Sequence, residues 1–127
     1  SDIFVDFAEE NFDDLTEERI EKYRNAPFRA PLIVALVSTK KDHPKVPEME
    51  QIISTGTAGQ NIMLALSALG YGAIWRTGSF AFNNKISEKF GLNENQTIIG
   101  YIYVGTPIGK KKSLPEMNTN DYISIWD

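Results

Sequence analysis

Cysteine is absent from this 127-residue chain, and histidine occurs once, as His43. The first absence removes disulfides, thiolate nucleophiles and cysteine metal sites together, and fits a reducing compartment. The second leaves no histidine partner for a catalytic triad or a zinc site. His43 itself lies in the polar stretch Lys41-Asp42-His43-Pro44 and reads as a surface residue. No apolar run approaches the roughly 18 residues needed to span a bilayer. The first residues are acidic rather than basic-then-apolar, unlike a signal peptide, so the expected location is the cytoplasm. A cationic excess is missing too: Lys+Arg number 13 against 17 Asp+Glu, a net charge of −4, which gives no pull towards nucleic acid or an anionic membrane. Asn95-Gln96-Thr97 matches a glycosylation acceptor but carries no weight without secretion. Ser79 follows a glycine without forming a Gly-x-Ser-x-Gly elbow. Glu17, Glu18 and Glu21 read as an exposed helical face rather than an acid–base pair. None of the usual hydrolytic constellations is present, which points towards cofactor chemistry, where the protein mainly binds and orients.

What is present is ordinary for a soluble globular protein: 42% hydrophobic and 24% charged residues, expected as a single domain over residues 1–127. Phe7 to Arg24 reads as one helix, with Phe12, Leu15, Ile20 and Tyr23 on one face and Thr16 as an internal N-cap. Asn25-Ala26-Pro27 ends it, because proline disfavours helix at the preceding residue. Leu32 to Val37 is a continuous apolar run that suits a strand buried on both faces. Pro47, Glu48 and Glu50 announce a helix from Met49 to Leu69. Its second half is apolar nearly all round, so it is buried inside the domain or between subunits. Gly56 and Gly59 thin its first half for close packing, and Gly70 caps it. Asn83 or Asn84 starts a short helix through Phe90, ended by Gly91. Thr97 to Val104 is the clearest strand, and Asp121 to Trp126 is a final strand or an arm laid across a partner. The order gives a layered arrangement of helices on a sheet.

Two glycine-rich stretches invite a functional reading. Gly105-Thr106-Pro107-Ile108-Gly109-Lys110-Lys111-Lys112-Ser113 follows a strand, yet only three residues separate its glycines and Lys111 follows Lys110. A phosphate-binding P-loop needs four residues there and Ser or Thr directly after the lysine, so a solvated basic turn is the better reading. Gly70-Tyr71-Gly72-Ala73-Ile74-Trp75-Arg76-Thr77-Gly78 is more informative. Glycine lets backbone approach a flat ligand, while Trp and Arg beside it offer a stacking face and a fixed cation. Spacing alone leaves two readings open: a ligand site, or a strand end whose Trp75 packs in the core while Arg76 reaches water.

Four segments taken together resemble the nitroreductase family, closest to its small bacterial FMN-dependent NAD(P)H branch. They are Asn25-Ala26-Pro27-Phe28-Arg29-Ala30-Pro31, Lys45-Val46-Pro47-Glu48-Met49-Glu50-Gln51, Gly72-Ala73-Ile74-Trp75-Arg76-Thr77-Gly78, and Ile99-Gly100-Tyr101-Ile102-Tyr103-Val104-Gly105-Thr106-Pro107. The resemblance implies an α+β fold, a nitroreductase-like sandwich with a central sheet flanked by helices, here incomplete. It implies a homodimer with FMN held at the subunit interface and NAD(P)H as co-substrate. Hydride would pass through the flavin, ping-pong fashion, to a nitroaromatic or quinone-like acceptor. It implies that Trp75, Arg76 and Thr77 contact FMN, chiefly through backbone groups. It links Ala65, Leu66, Ser67, Ala68, Leu69 and Gly70 to the nicotinamide nucleotide. No side chain is assigned a catalytic role and none a metal. The family's Arg-Arg-Ser type motif, which grips the FMN phosphate, is not reproduced by Arg19, Arg24 or Arg29, and the usual N-terminal third of the domain is not represented. The alternative from another class is a non-catalytic flavin-binding or dimerisation module on the same fold; a nucleotide-hydrolysing domain ranks below both.

Overall fold

The computed structural model describes residues 2–109, 113 and 115–126. Among them, three strands form one antiparallel sheet: β1 (Leu32–Thr39), β2 (Gly72–Arg76) and β3 (Gln96–Gly105), in the order β1-β3-β2. The most apolar strand, β3, therefore lies in the middle, where Ile98, Ile99, Ile102 and Val104 are buried. Helices α1 (Asp2–Asn11), α2 (Glu17–Asn25) and α4 (Asn84–Lys89) lie on one side with the 3-10 turns Ala26–Arg29 and Gly78–Phe80. Helix α3 (Glu48–Ala68) covers the other face.

A bulge decides which β3 side chains face which layer. Leu36 pairs with Gly100 and Val37 with Ile98, so Ile99 is the extra residue. An inserted residue breaks the two-residue alternation of a strand. As a result Ile98 and Tyr101 both enter the α1 core, while Ile99 and Ile102 both enter the α3 core. The α1 layer is held by aromatics around Phe80, whose ring centroid lies 4.6 Å from Phe4, 5.6 Å from Phe7 and 5.1 Å from Tyr23. Such tilted and edge-on pairs contribute about 0.5–1.5 kcal/mol each beyond simple burial.

The structure corrects three sequence expectations. The single helix expected over Phe7 to Arg24 is two helices. The first begins at Asp2, because Phe4, Phe7 and Ala8 form its buried stripe. The second starts where Thr16 caps it, its side chain accepting from the Arg19 amide. Strand β1 is an edge strand rather than one buried on both faces, with Leu32 and Ala35 exposed. Asp121 to Trp126 forms no strand among the described residues: Thr119–Tyr122 is a 3-10 turn, and Ile123, Ile125 and Trp126 project from the segment after it. Other expectations hold. Asn83 caps α4 by accepting from the Lys85 amide, and Gly91 follows at φ +72°. Gly70, at φ +85°, closes α3 with paired bonds from its own amide to the Ser67 carbonyl and from the Tyr71 amide to the Leu66 carbonyl.

Helix α3 seats on the sheet through a glycine. A Cβ at Gly59 would come within 2.5 Å of both Leu36 Cδ1 and Trp75 Cζ3. Across the sheet the same indole lies over Gly100, where a Cβ would reach within 2.6 Å of Trp75 Cε2. Ile52, Met63 and Leu66 complete the inward stripe. The rest of the helix is uncovered in this chain: only Gly59 is fully buried, and Ile53 and Leu64 are 59% and 58% exposed.

Gly59→Ala should destabilise by about 1–3 kcal/mol despite alanine's better helix propensity, because the added methyl overpacks the indole. Gly56, three residues earlier, meets nothing within 4 Å. Gly56→Ala should therefore stabilise by about 0.5–1 kcal/mol. Urea unfolding midpoints of the two variants check the pair; shifts of the same sign would contradict the packing described.

Candidate functional site

Strand β2 splits the Trp75-Arg76 pair. Successive side chains on a strand point to opposite faces. Trp75 and Ala73 enter the α3 core, and Ile74 and Arg76 emerge on the other face. There they line a hollow of about 310 Å³ with Gly72, Gly105, Tyr103 and Arg29. The cross-strand register sets Ile74 opposite Tyr103, and Arg76 opposite Tyr101. Arg29 arrives from the other end of the chain: the 3-10 turn Ala26–Arg29, begun by Pro27, delivers it to the rim. Among the described residues no carboxylate pairs with Arg29 or Arg76.

Of the residues read from sequence, only Arg76 reaches this hollow with its side chain. The Trp75 indole is committed to the core, which leaves its backbone for a ligand. Thr77 follows the strand in an irregular conformation, φ −122° and ψ −76°, and is exposed. Ala65, Ser67, Ala68, Leu69 and Gly70 are exposed at the end of α3, while Leu66 packs against the sheet. That helix end sits directly before β2, joined to it by Tyr71. Among the described residues β2 is an edge strand, with no strand paired on its outer side. Arg29 is the residue sequence reasoning missed as a site residue. The lysines of the Gly105–Ser113 stretch, Lys110, Lys111 and Lys112, lie outside the described residues.

Among the described residues, no group of His, Cys, Asp or Glu is placed to hold a metal ion, and no helix is long and apolar enough to cross a membrane. His43 is exposed and accepts from the Lys45 amide at 3.2 Å. Glu21 sits on an exposed helical face with Glu17 and Glu18. The Asn25 side chain and then Arg24, at 2.7 Å, hold its carboxyl below the usual carboxylate range.

The profile of the nitroreductase family matches residues 4–106. The chain belongs to the nitroreductase family. Within it, the Escherichia coli K12 protein named "Putative NAD(P)H nitroreductase YdjA" is 43% identical over 91 residues, 72% of this chain and 50% of that protein. The chain thus spans about half the length of the curated nitroreductase relative it matches. Among solved structures, a nitroreductase-like family protein from Bacillus cereus superposes with a TM-score of 0.72 at 20% identity, covering 98% of this chain and 66% of its own. A point mutant of the FMN- and NADPH-dependent nitroreductase NfnB from Sphingopyxis sp. strain HMH gives 0.61 at 18% identity, covering 84% and 48%. These likenesses establish the nitroreductase α+β fold, present here with a three-stranded sheet among the described residues.

One buried phenol underlies the hollow's face. Tyr101 is 5% exposed, and its hydroxyl donates to the Phe80 carbonyl at 2.8 Å. Burial, and secondarily the neighbouring Tyr103 phenol, pushes Tyr101 well above the ordinary tyrosine range. With the folded-state value raised, its contribution to stability is complete below the unfolded value near pH 10. That contribution is lost as pH rises above it. Tyr101→Phe should cost about 0.5–1.5 kcal/mol at neutral pH, by leaving the Phe80 carbonyl unpaired. It should also flatten the decline in urea midpoint above about pH 10. A decline of the same steepness in the variant would show that Tyr101 does not drive it.

Proposed function

We propose that this chain is part of an FMN-dependent oxidoreductase that passes hydride from NAD(P)H to a nitroaromatic or quinone-like acceptor. The observation that carries the reading is the hollow itself. It brings Arg76 and Arg29 together over β2 and β3, beside Gly72 and Gly105 and free of carboxylate partners among the described residues. Those donors suit a flat ligand with an anionic tail. Backbone groups around Trp75 and Thr77 can meet a ring's polar rim, glycine allows close approach, and guanidinium groups bind an oxyanion with charge-assisted hydrogen bonds. A flavin bound there supplies the hydride-accepting and hydride-donating ring. The chain's own residues bind and orient: Arg76 and Arg29 fix the anionic group, while Ile74 and Tyr103 form an apolar floor that sheds water. We assign the exposed helix end Ala65–Gly70 to the nicotinamide nucleotide, since it leads straight into β2. One small hollow supports ping-pong order, in which the donor leaves before the acceptor enters.

The site is completed, in this proposal, by a second copy. Helix α3 leaves Met49, Ile53 and Leu64 exposed on a single stripe, and Tyr122, Ile123, Ile125 and Trp126 add exposed apolar side chains from the tail. Contiguous exposed apolar surface marks an interaction face. Ile53→Asp should convert a dimer to a monomer in sedimentation velocity without lowering the stability of the isolated fold. A wild-type monomer at all concentrations would remove the dimer from the account.

The alternative, a flavin-binding or dimerisation module without turnover, draws on the same apolar stripe and on the lack of an acid–base pair among the described residues. The two part on turnover. Purified chain reconstituted with FMN should show a bound-flavin spectrum and oxidise NAD(P)H in the presence of a nitroaromatic. Arg76→Ala should weaken FMN about 10- to 100-fold, the loss of one charge-assisted bond. Bound flavin with no NAD(P)H oxidation would select the module, and unaltered FMN affinity in Arg76→Ala would remove Arg76 from the site.

A further inference from the structure

The sheet face opposite α3 carries a second hollow that the redox reading does not use. It encloses about 230 Å³ and is lined by Ile3, Phe4, Pro27, Ile33, Phe90 and Tyr101, with Ala35 at its floor. Its polar atom, the Tyr101 hydroxyl, is already spent on the Phe80 carbonyl. The space therefore offers hydrocarbon contact and no unused hydrogen-bonding group among those side chains.

The register joins this hollow to the cationic one. Ile33, Tyr103 and Ile74 face one another across the three strands, and so do Ala35, Tyr101 and Arg76. The apolar hollow stands over β1 and β3, and the arginine hollow over β3 and β2. The 3-10 turn Ala26–Arg29 walls both, with Pro27 over the first and Arg29 over the second. Two strand spacings, roughly 10 Å, separate the apolar end from the cationic end. On a chain of net charge −4, two guanidinium groups without a carboxylate partner among the described residues form a local cationic site.

We infer that this face binds a small amphipathic acid, its apolar body over Ile33 and Ala35 and its carboxylate between Arg29 and Arg76. Charge complementarity selects the occupant: an uncharged hydrocarbon leaves the arginines unused, and a bare anion leaves the apolar hollow empty. The inference rests on the geometry of this face and shares Arg29 and Arg76 with the flavin reading, so acid and flavin exclude one another there and the test is made on flavin-free protein.

The probes are octanoate, octan-1-ol and acetate, titrated calorimetrically into the full chain. Octanoate should bind saturably at one site, with octanol and acetate each at least about ten-fold weaker, as expected when one charge-assisted contact or the hydrocarbon burial is lost. Arg29→Gln should weaken octanoate about ten-fold or more while leaving octanol unchanged. Ala35→Phe, which fills the apolar hollow, should weaken octanoate and leave acetate unchanged. Circular dichroism of both variants checks that they fold, and both positions are exposed enough to tolerate the change. Equal affinity for octanoate and octanol, octanoate binding unaffected by Arg29→Gln, or no saturable binding, as when another segment or a second copy covers the face, would overturn the inference. FMN binding without octanoate binding would overturn it while sparing the flavin reading.

Discussion

Everything on the functional face depends on where the Trp75 indole goes. It is clamped between Gly59 of α3 and Gly100 of β3, in a gap that accepts no Cβ from either side. That contact fixes the depth at which α3 seats and pins β2 to the central strand. Alternation along β2 then leaves its neighbours one orientation: with Trp75 inward, Ile74 and Arg76 point to the other face and make the rim of the hollow. A core contact on one side of the sheet thereby sets the chemistry on the other.

The opposite layer is secured differently. Aromatic rings surround Phe80 there, and the Tyr101 hydroxyl ties the Phe80 carbonyl to the central strand. The bulge at Ile99 allows both arrangements, since it turns Ile98 and Tyr101 towards the aromatics and Ile99 towards α3. The two layers are filled in unlike ways. The α3 side has a tight glycine contact and an uncovered outer stripe. The aromatic side has two open hollows, one of them cationic.

How much of this was legible in the sequence depends on what kind of signal each feature carries. Strand β3 and helix α3 announce themselves through long runs of consistent pattern, and Gly70, Asn83 and Gly91 mark boundaries through residue-specific backbone chemistry. The break between α1 and α2 was visible only as Thr16, a cap whose signal was outweighed by apolar periodicity running across it. The first half of the opening helix, before Phe7, was missed because the partners of Phe4 and Phe7, Phe80 and Ile98, lie far along the chain. The bulge leaves no mark in Ile98-Ile99-Gly100 that differs from regular strand. For the candidate site, the glycine-flanked setting of Arg76 singled it out, and the structure places it on the hollow's lining; the spacing around Trp75 fits core and ligand alike, and its partner glycines lie elsewhere in the chain. Arg29 reaches the hollow by a tertiary route, from a proline-started turn to a strand more than forty positions later, and nothing local encodes that.

The proposed ligand site is the hollow over β2 and β3, argued from the split of Trp75 and Arg76 and from two arginines without a carboxylate partner among the described residues. The direct measurement is a crystal structure of the chain grown with saturating FMN. The account predicts flavin density in the hollow over β2 and β3, with the Arg76 guanidinium within hydrogen-bond distance of it and the Trp75 indole still under Gly59. Flavin density elsewhere, with Arg76 turned to solvent, or an indole withdrawn from the core to stack on the ring, would contradict it.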